Sequence, residues 1–268
     1  MVRSYRFAVS NEEDTIDLSN KIITVRKQNL IHQFTKVLRL NHESKENIEL
    51  IDGQSKNIYQ VKMKSDIVPD TYVKQVDFFI EDIKESNREL QQYIKFYIPV
   101  IKNENFELML RKLCELGVQE FTPVFFNRSQ KKYLRKMKAN SYQERLYKIL
   151  ESAIEQCEGA VFPKLNPTID FDEFTLKIAE EKKSGSSPAF KIFASERLSG
   201  VDDVNYDIDC VKKTQGENLS LLVGPEGGLT EQEVDTLKIY DFIDVSLGKR
   251  ILKAETAAIV LFSRLFIS

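Results

Sequence analysis

Apolar residues fall into two regimes along the chain. Over residues 1–85 they come in short runs that mix β-branched and aromatic residues with polar ones: KIITVRK (21–27), NIELIDG (47–53), NIYQVKMKSDI (57–67) and YVKQVDFFIEDI (72–83). Turn formers such as Asp52-Gly53 separate the runs. This pattern predicts short strands, and strands so closely spaced predict a small β-barrel. One helix is expected near residues 30–40, where Leu30, Phe34, Val37 and Leu38 recur at helical spacing.

The polar stretch 84–92 (KESNRELQQ) reads as a linker, dividing the chain into a domain over 1–85 and a second over 86–268. Beyond it strands and helices alternate. Strands are predicted over 93–101, 118–126, 188–195, 219–224 and 242–248, and helices over 105–117, 141–159, 230–240 and 254–266. Gly117 and Gly159 are expected to close the first two helices. Thr230 and Glu233 have the spacing of a capping box for the third. The alternation predicts an α/β domain with a largely parallel sheet. The last helix, AETAAIVLFSRLF, is apolar almost all round. It should be buried on more than one side, within one subunit or against a second.

The chain has 268 residues, 42% hydrophobic and 30% charged, which suits a folded protein of one large or two ordinary domains. No apolar run approaches the roughly 20 residues of a membrane-spanning helix. The N-terminus, MVRSYRFAVSNEEDTID, has no apolar signal segment. A cytoplasmic protein without membrane contact is expected. Cys114, Cys157 and Cys210 are scattered with no CxxC pair, and the histidines are His32 and His42 alone. That usage argues against a disulfide framework and against a metal site.

The net charge of −2 conceals an asymmetry. Arg128, Lys131, Lys132, Arg135, Lys136, Lys138, Arg145 and Lys148 crowd residues 126–150 against the single acid Glu144, while the remainder of the chain to its end is acidic. A basic island on an acidic body is the footprint of a polyanion contact, although a solvated helix face has the same composition.

Two loops carry the candidate chemistry. Leu221-Leu222-Val223-Gly224-Pro225-Glu226-Gly227-Gly228 is an apolar strand running into a glycine-rich turn and then a helix. Loops beyond the carboxyl ends of parallel strands are where open α/β sheets bind ligands. This one lacks the lysine of a phosphate loop and the GxGxxG spacing. Pro225 removes a backbone donor, and Glu226 puts a negative charge where a phosphate would sit. A neutral or cationic ligand fits better, although an ordinary strand-to-helix turn has the same pattern. Leu247-Gly248 then ends the next strand, and Lys249-Arg250-Ile251-Leu252-Lys253-Ala254-Glu255-Thr256 leads into the last helix. Two such loops at one sheet edge would enclose a ligand, with Ile251 and Leu252 against a flat ring.

Taken together, LLVGPEGGLTEQEV and SLGKRILKAETAAI resemble the signature of SPOUT-class methyltransferases. Within that class the chain is similar to the bacterial family that methylates the ring N3 of a uridine in small-subunit ribosomal RNA. His32, Val37-Leu38-Arg39 and the following IELIDG resemble that family's N-terminal motif, and Lys112, Glu115-Leu116-Gly117-Val118, Arg145, Ala153 and Glu155-Gln156 its central ones. The sequence departs from the pattern at Lys253, at Glu158-Gly159-Ala160 and near Glu43.

The resemblance implies a PUA-like β-barrel followed by an α/β trefoil-knot domain, assembled as a homodimer whose active site uses both subunits. It implies S-adenosylmethionine as cofactor, held by Leu222, Val223, Gly224, Pro225, Glu226, Gly227, Leu247, Gly248, Ile251 and Leu252. Arg145 is the candidate donor to the base, with Glu155 and Gln156 positioning or deprotonating it; counted along one helix, the three fall on roughly one side. The RNA contacts expected are Arg3, Arg6, Arg39, Arg128, Lys131, Lys132 and Arg135, facing ribosomal RNA or the assembled small subunit. Three other readings remain open: a related enzyme acting on another nucleotide, an RNA-binding module without catalysis, and a nucleotide-binding α/β enzyme of a different kind.

Overall fold

The computed structural model describes residues 4–9, 13–65, 72–195, 206–207 and 218–266. The chain groups into two compact units, residues 1–89 with 154–162, and residues 90–153 with 163–268.

The first unit contains β1 (Ser4–Ala8), β2 (Thr15–Asp17), β3 (Ile22–Val25), β4 (Asn47–Ile51), β5 (Asn57–Met63) and β6 (Val76–Glu85). They form one sheet in the order β1-β4-β5-β6-β3-β2. The β1–β4 pair is parallel and the others are antiparallel, with a register shift at Gln60/Val61. The described pairings leave β1 and β2 at the two ends of that order. Alternate residues Tyr59, Val61 and Met63 of β5, and Val76, Phe78 and Ile80 of β6, point into one core. The expected helix at 30–40 is a short α1 (Gln28–His32) followed by a π-helical turn over Gln33–Val37. The wider turn sets Phe34 edge-on between Phe7 (5.0 Å) and Phe78 (5.2 Å). Burying such a ring contributes about 1.5–3 kcal/mol, enough to override regular helical winding.

The second unit is an α/β sheet. Its strands are β7 (Ile94–Pro99), β8 (Glu120–Phe125), β9 (Lys164–Leu165), β10 (Ile169–Asp170), β11 (Phe190–Ala194), β12 (Tyr206–Asp207), β13 (Leu219–Val223) and β14 (Phe242–Ser246). Every pairing is parallel, in the order β10-β8-β7-β13-β11-β14-β12, with β9 on β8. The helices are α2 (Asn103–Glu115), α3 (Lys131–Met137), α4 (Asn140–Cys157), α5 (Phe171–Ser184), α6 (Glu231–Ile239) and α7 (Ala254–Phe266). Tyr97, Phe193 and Leu222 pack on one face of the sheet with Phe174 and Ile178 of α5 and Leu237 of α6. Their neighbours Phe96, Ile192 and Leu221, on the other face, are equally buried, so the sheet is covered on both sides. On its side α7 packs against α2 and β13.

Two helices lie outside the sequence expectation. α5 carries its own start and stop signals, an Asp170/Glu173 capping box and Gly185 at φ 70°. α3 buries only Met137, so its apolar periodicity is faint. Gly117 closes α2 at φ 98° as expected, whereas at the end of α4 the left-handed residue is Glu158 (φ 59°) rather than Gly159.

Candidate functional site

A pocket of about 460 Å³ opens at the carboxyl ends of three adjacent parallel strands. Ala194 and Ser195 reach it from β11, Val223 and Gly224 from β13, and Ser246 and Leu247 from β14. The loop 248–253 and the first turn of α7 close one side, and Asn105 of α2 another. The two loops singled out in the sequence do line one cavity. They are not sheet neighbours, however: β11 lies between their strands and contributes its own residues.

The glycine loop is braced by polar contacts. β13 is buried along its whole length, so the chain reaches Gly224 from inside the sheet. The Gly228 amide donates to the Pro225 carbonyl (2.8 Å), with Gly228 at φ 70°, a conformation that favours glycine. Thr230 and Glu233 then form the expected capping box at the start of α6. Buried Glu233 also accepts from the Asn127 amide (2.9 Å). The Arg128 guanidinium donates to the carbonyls of Gly227 and Leu229, each at 3.1 Å. Residues 127–128 therefore clamp the loop from outside. A Cβ on Gly227 would come within 3.1 Å of the Arg128 Cβ, and one on Gly224 within 3.1 Å of the Leu229 Cγ.

Of the ten residues expected to hold the cofactor, eight line this pocket; Leu222 points into the core instead and Gly227 faces Arg128. Ile251 stands 81% exposed on the rim. Gly248, at φ 126°, has nothing among the described residues within 4 Å of where a Cβ would sit, so its glycine is required by backbone conformation rather than by space.

The sequence reading gave no role to three polar groups here. Ser195 Oγ donates to both carboxylate oxygens of Asp244 (2.8 and 2.9 Å), and burial pushes the Asp244 carboxyl above its ordinary value. Asn105 lines the pocket from a helix that carries no loop motif. Glu255 is 7% exposed, and its Oε2 has no hydrogen-bond partner among the described residues. The available signal was a lone carboxylate inside a mainly apolar helix.

The three candidate catalytic residues lie on α4, and none lines the pocket. Arg145 is bonded through Nε and an Nη to both carboxylate oxygens of Glu107 (2.8 and 2.7 Å), and these hydrogen bonds hold the Glu107 carboxyl below its usual range. Glu155 accepts from the Ala8 amide (3.1 Å), and Gln156 is exposed.

The expected RNA contacts separate into distinct environments. Lys131, Lys132 and Arg135 are exposed on α3. Arg39 is exposed at φ 52°. Arg128 is committed to the glycine loop by the two bonds given above. Arg6 is a correction: its side chain is 5% exposed, bonded through Nε to Glu49 (3.0 Å) and through an Nη to the carbonyl of Gly159 (3.2 Å), with a further bond to the carbonyl of Glu158. A guanidinium enclosed in that way has no face left for a phosphate. Arg3 lies outside the described residues.

A family model for the RNA methyltransferase domain matches residues 88–266. The ribosomal RNA small subunit methyltransferase E of Bacillus subtilis (strain 168) is 33% identical over 189 residues, 66% of each chain. That of Mesomycoplasma hyopneumoniae (strain 232) is 25% identical over 260 residues, 97% of this chain and 98% of the relative. Among solved structures, a methyltransferase from Legionella pneumophila in complex with bound S-adenosylmethionine superposes with a TM-score of 0.74 at 25% identity, covering 98% of this chain and 97% of that one.

Proposed function

Because the chain belongs to the RNA methyltransferase domain family, we propose that it is an S-adenosylmethionine-dependent methyltransferase of small-subunit ribosomal RNA, and that its acceptor is the ring N3 of a uridine. The observation that carries this reading is the strand-end pocket, walled by the glycine loop 224–228 and the loop 247–252. Its size suits a small-molecule ligand. Its strand ends offer backbone and apolar surface, and its buried carboxylate suits a cationic ligand better than a phosphate. Val223, Gly224, Pro225, Leu247, Gly248 and Leu252 would hold the cofactor, which supplies a methyl group already activated on a sulfonium.

The remaining task falls to this chain's own residues: aligning the acceptor nitrogen and handling the proton it loses. Arg145 is the proposed donor to a uracil carbonyl, exchanging Glu107 for substrate, and Glu155 with Gln156 the proposed positioning or proton-accepting pair. These residues do not line the pocket of their own chain, which favours their acting at the pocket of a second copy. The proposal therefore includes a homodimer with shared sites, a trefoil-knotted second unit and a PUA-like first unit. The exposed α3 cations Lys131, Lys132 and Arg135 would hold RNA phosphates, which give affinity without reading sequence.

The test is methylation of ribosomal RNA or small subunits that lack the modification, with labelled S-adenosylmethionine and mass analysis of the nucleosides. The expected product is N3-methyluridine at one position. A different methylated nucleoside would reassign the acceptor, and no methyl transfer to RNA would overturn the reading.

A further inference from the structure

Glu255 differs from the other acids near the strand ends. Glu226 is exposed, and Asp244 accepts from Ser195. Glu255, the second residue of α7, is buried against the pocket, and its Oε2 is unsatisfied among the described residues. No ion pair joins it to a described residue, although Lys249, Arg250 and Lys253 stand exposed on the adjoining loop. A buried carboxylate oxygen without a donor costs free energy. The α7 N-terminus offsets part of that through its partial positive charge, but a helix end does not replace a hydrogen bond to Oε2. An apolar residue would pack in this helix at no such cost. The position thus calls for a donor that arrives with the ligand.

Building on the cofactor reading above, we propose that Glu255 is a specificity-determining residue of the pocket, accepting a charge-assisted hydrogen bond from the α-ammonium of S-adenosylmethionine. The cofactor's other donors, the adenine amine and the ribose hydroxyls, are neutral and would leave a net charge buried. The ammonium neutralises it. The exposed cations of the loop 249–253 are complementary to the α-carboxylate next to that ammonium. A flat adenine is better served by Leu252 and the loop backbone.

The test is calorimetry with three ligands of shared adenosine core. S-adenosylhomocysteine keeps both amine and carboxylate, its decarboxylated analogue keeps the amine alone, and 5′-methylthioadenosine has neither. The wild-type protein should bind the first two at least about tenfold more tightly than the third, since a hydrogen bond to a charged group is worth about 10- to 100-fold in affinity. Glu255→Gln should weaken the two amine-bearing ligands by about that factor and change 5′-methylthioadenosine by less than about threefold. Its melting temperature without ligand should hold or rise, because a buried charge has been removed. Equal losses for all three ligands, or no preference of the wild type for the amine, would overturn the assignment while leaving the cofactor site standing. Failure of the wild type to bind any of them would overturn both.

Discussion

Gly224 shows how much a single residue carries. It sits where a fully buried strand opens into the pocket, and a Cβ there would press on the Leu229 side chain at 3.1 Å. Gly224→Val is expected to abolish S-adenosylmethionine binding by calorimetry, with an overpacking cost of about 1–3 kcal/mol in urea unfolding. Normal binding by this variant would remove the loop from the site. Glu107 and Arg145 offer a pH test. The guanidinium bonds lower the folded-state pKa of Glu107, so the unfolded chain takes up its proton first as pH falls. The pair's contribution is therefore present above the ordinary glutamate range and lost as pH falls through the folded value. The stability gap between wild type and Glu107→Gln should be visible at about pH 7 and shrink towards about pH 3. A gap independent of pH would show that the ion pair contributes nothing. At this scale the sequence identified the glycines and eight of the residues that line the pocket. It included Glu255 in the second loop without giving it a role, and it misjudged Arg6, because burial depends on what the rest of the chain places around a side chain.

Among the elements, the start of α6 was legible to the residue. The Thr230/Glu233 box and the glycines before it encode its start, and the structure adds that Glu233 also holds the Asn127 amide. Thr230→Ala should cost about 1 kcal/mol, lowering the melting temperature by about 2–4 °C. A larger loss would mean that Glu233 had let go of Asn127 as well. α3 presents the opposite case. Its density of charge was visible but its helicity was not, since a helix that buries only Met137 leaves little periodic trace. Reversing Lys131 and Lys132 to Glu should weaken RNA binding and flatten its salt dependence, with cofactor affinity unchanged. Affinities at three salt concentrations measure this, and an unaltered slope would place the RNA elsewhere. Because Arg128 just ahead of α3 grips the glycine loop, its substitution should act on cofactor binding too, unlike that of the α3 lysines.

At the scale of the whole molecule, α7 buries Ala254, Glu255, Ala258, Leu261 and Phe262 in its own chain and leaves Ile259 and Val260 half-exposed. An apolar second face of this kind suits a partner surface. Sedimentation at micromolar concentration is expected to report about twice the 31.1 kDa chain mass. A monomer that methylates RNA at full rate would end the shared-site proposal.

Local chemistry determined a good part of this protein from sequence alone. Strand and helix periods, the Thr230/Glu233 cap and the two candidate loops depend on residues close together in the chain, and most of them stand where the sequence put them, the helix at 30–40 and the cap at Gly159 excepted. The order of the parallel strands was decided by tertiary structure. β13 and β14 are consecutive strands with only α6 between them, yet β11 inserts between them in the sheet and brings Ser195 to the pocket. Nothing in the hydrophobic pattern encodes that insertion, because a buried parallel strand looks the same beside any neighbour. For the same reason the burial of Glu255, the enclosure of Arg6 and the reach of Arg128 to the glycine loop appear only in the folded chain, where residues distant in sequence set one another's solvent, charge and partners.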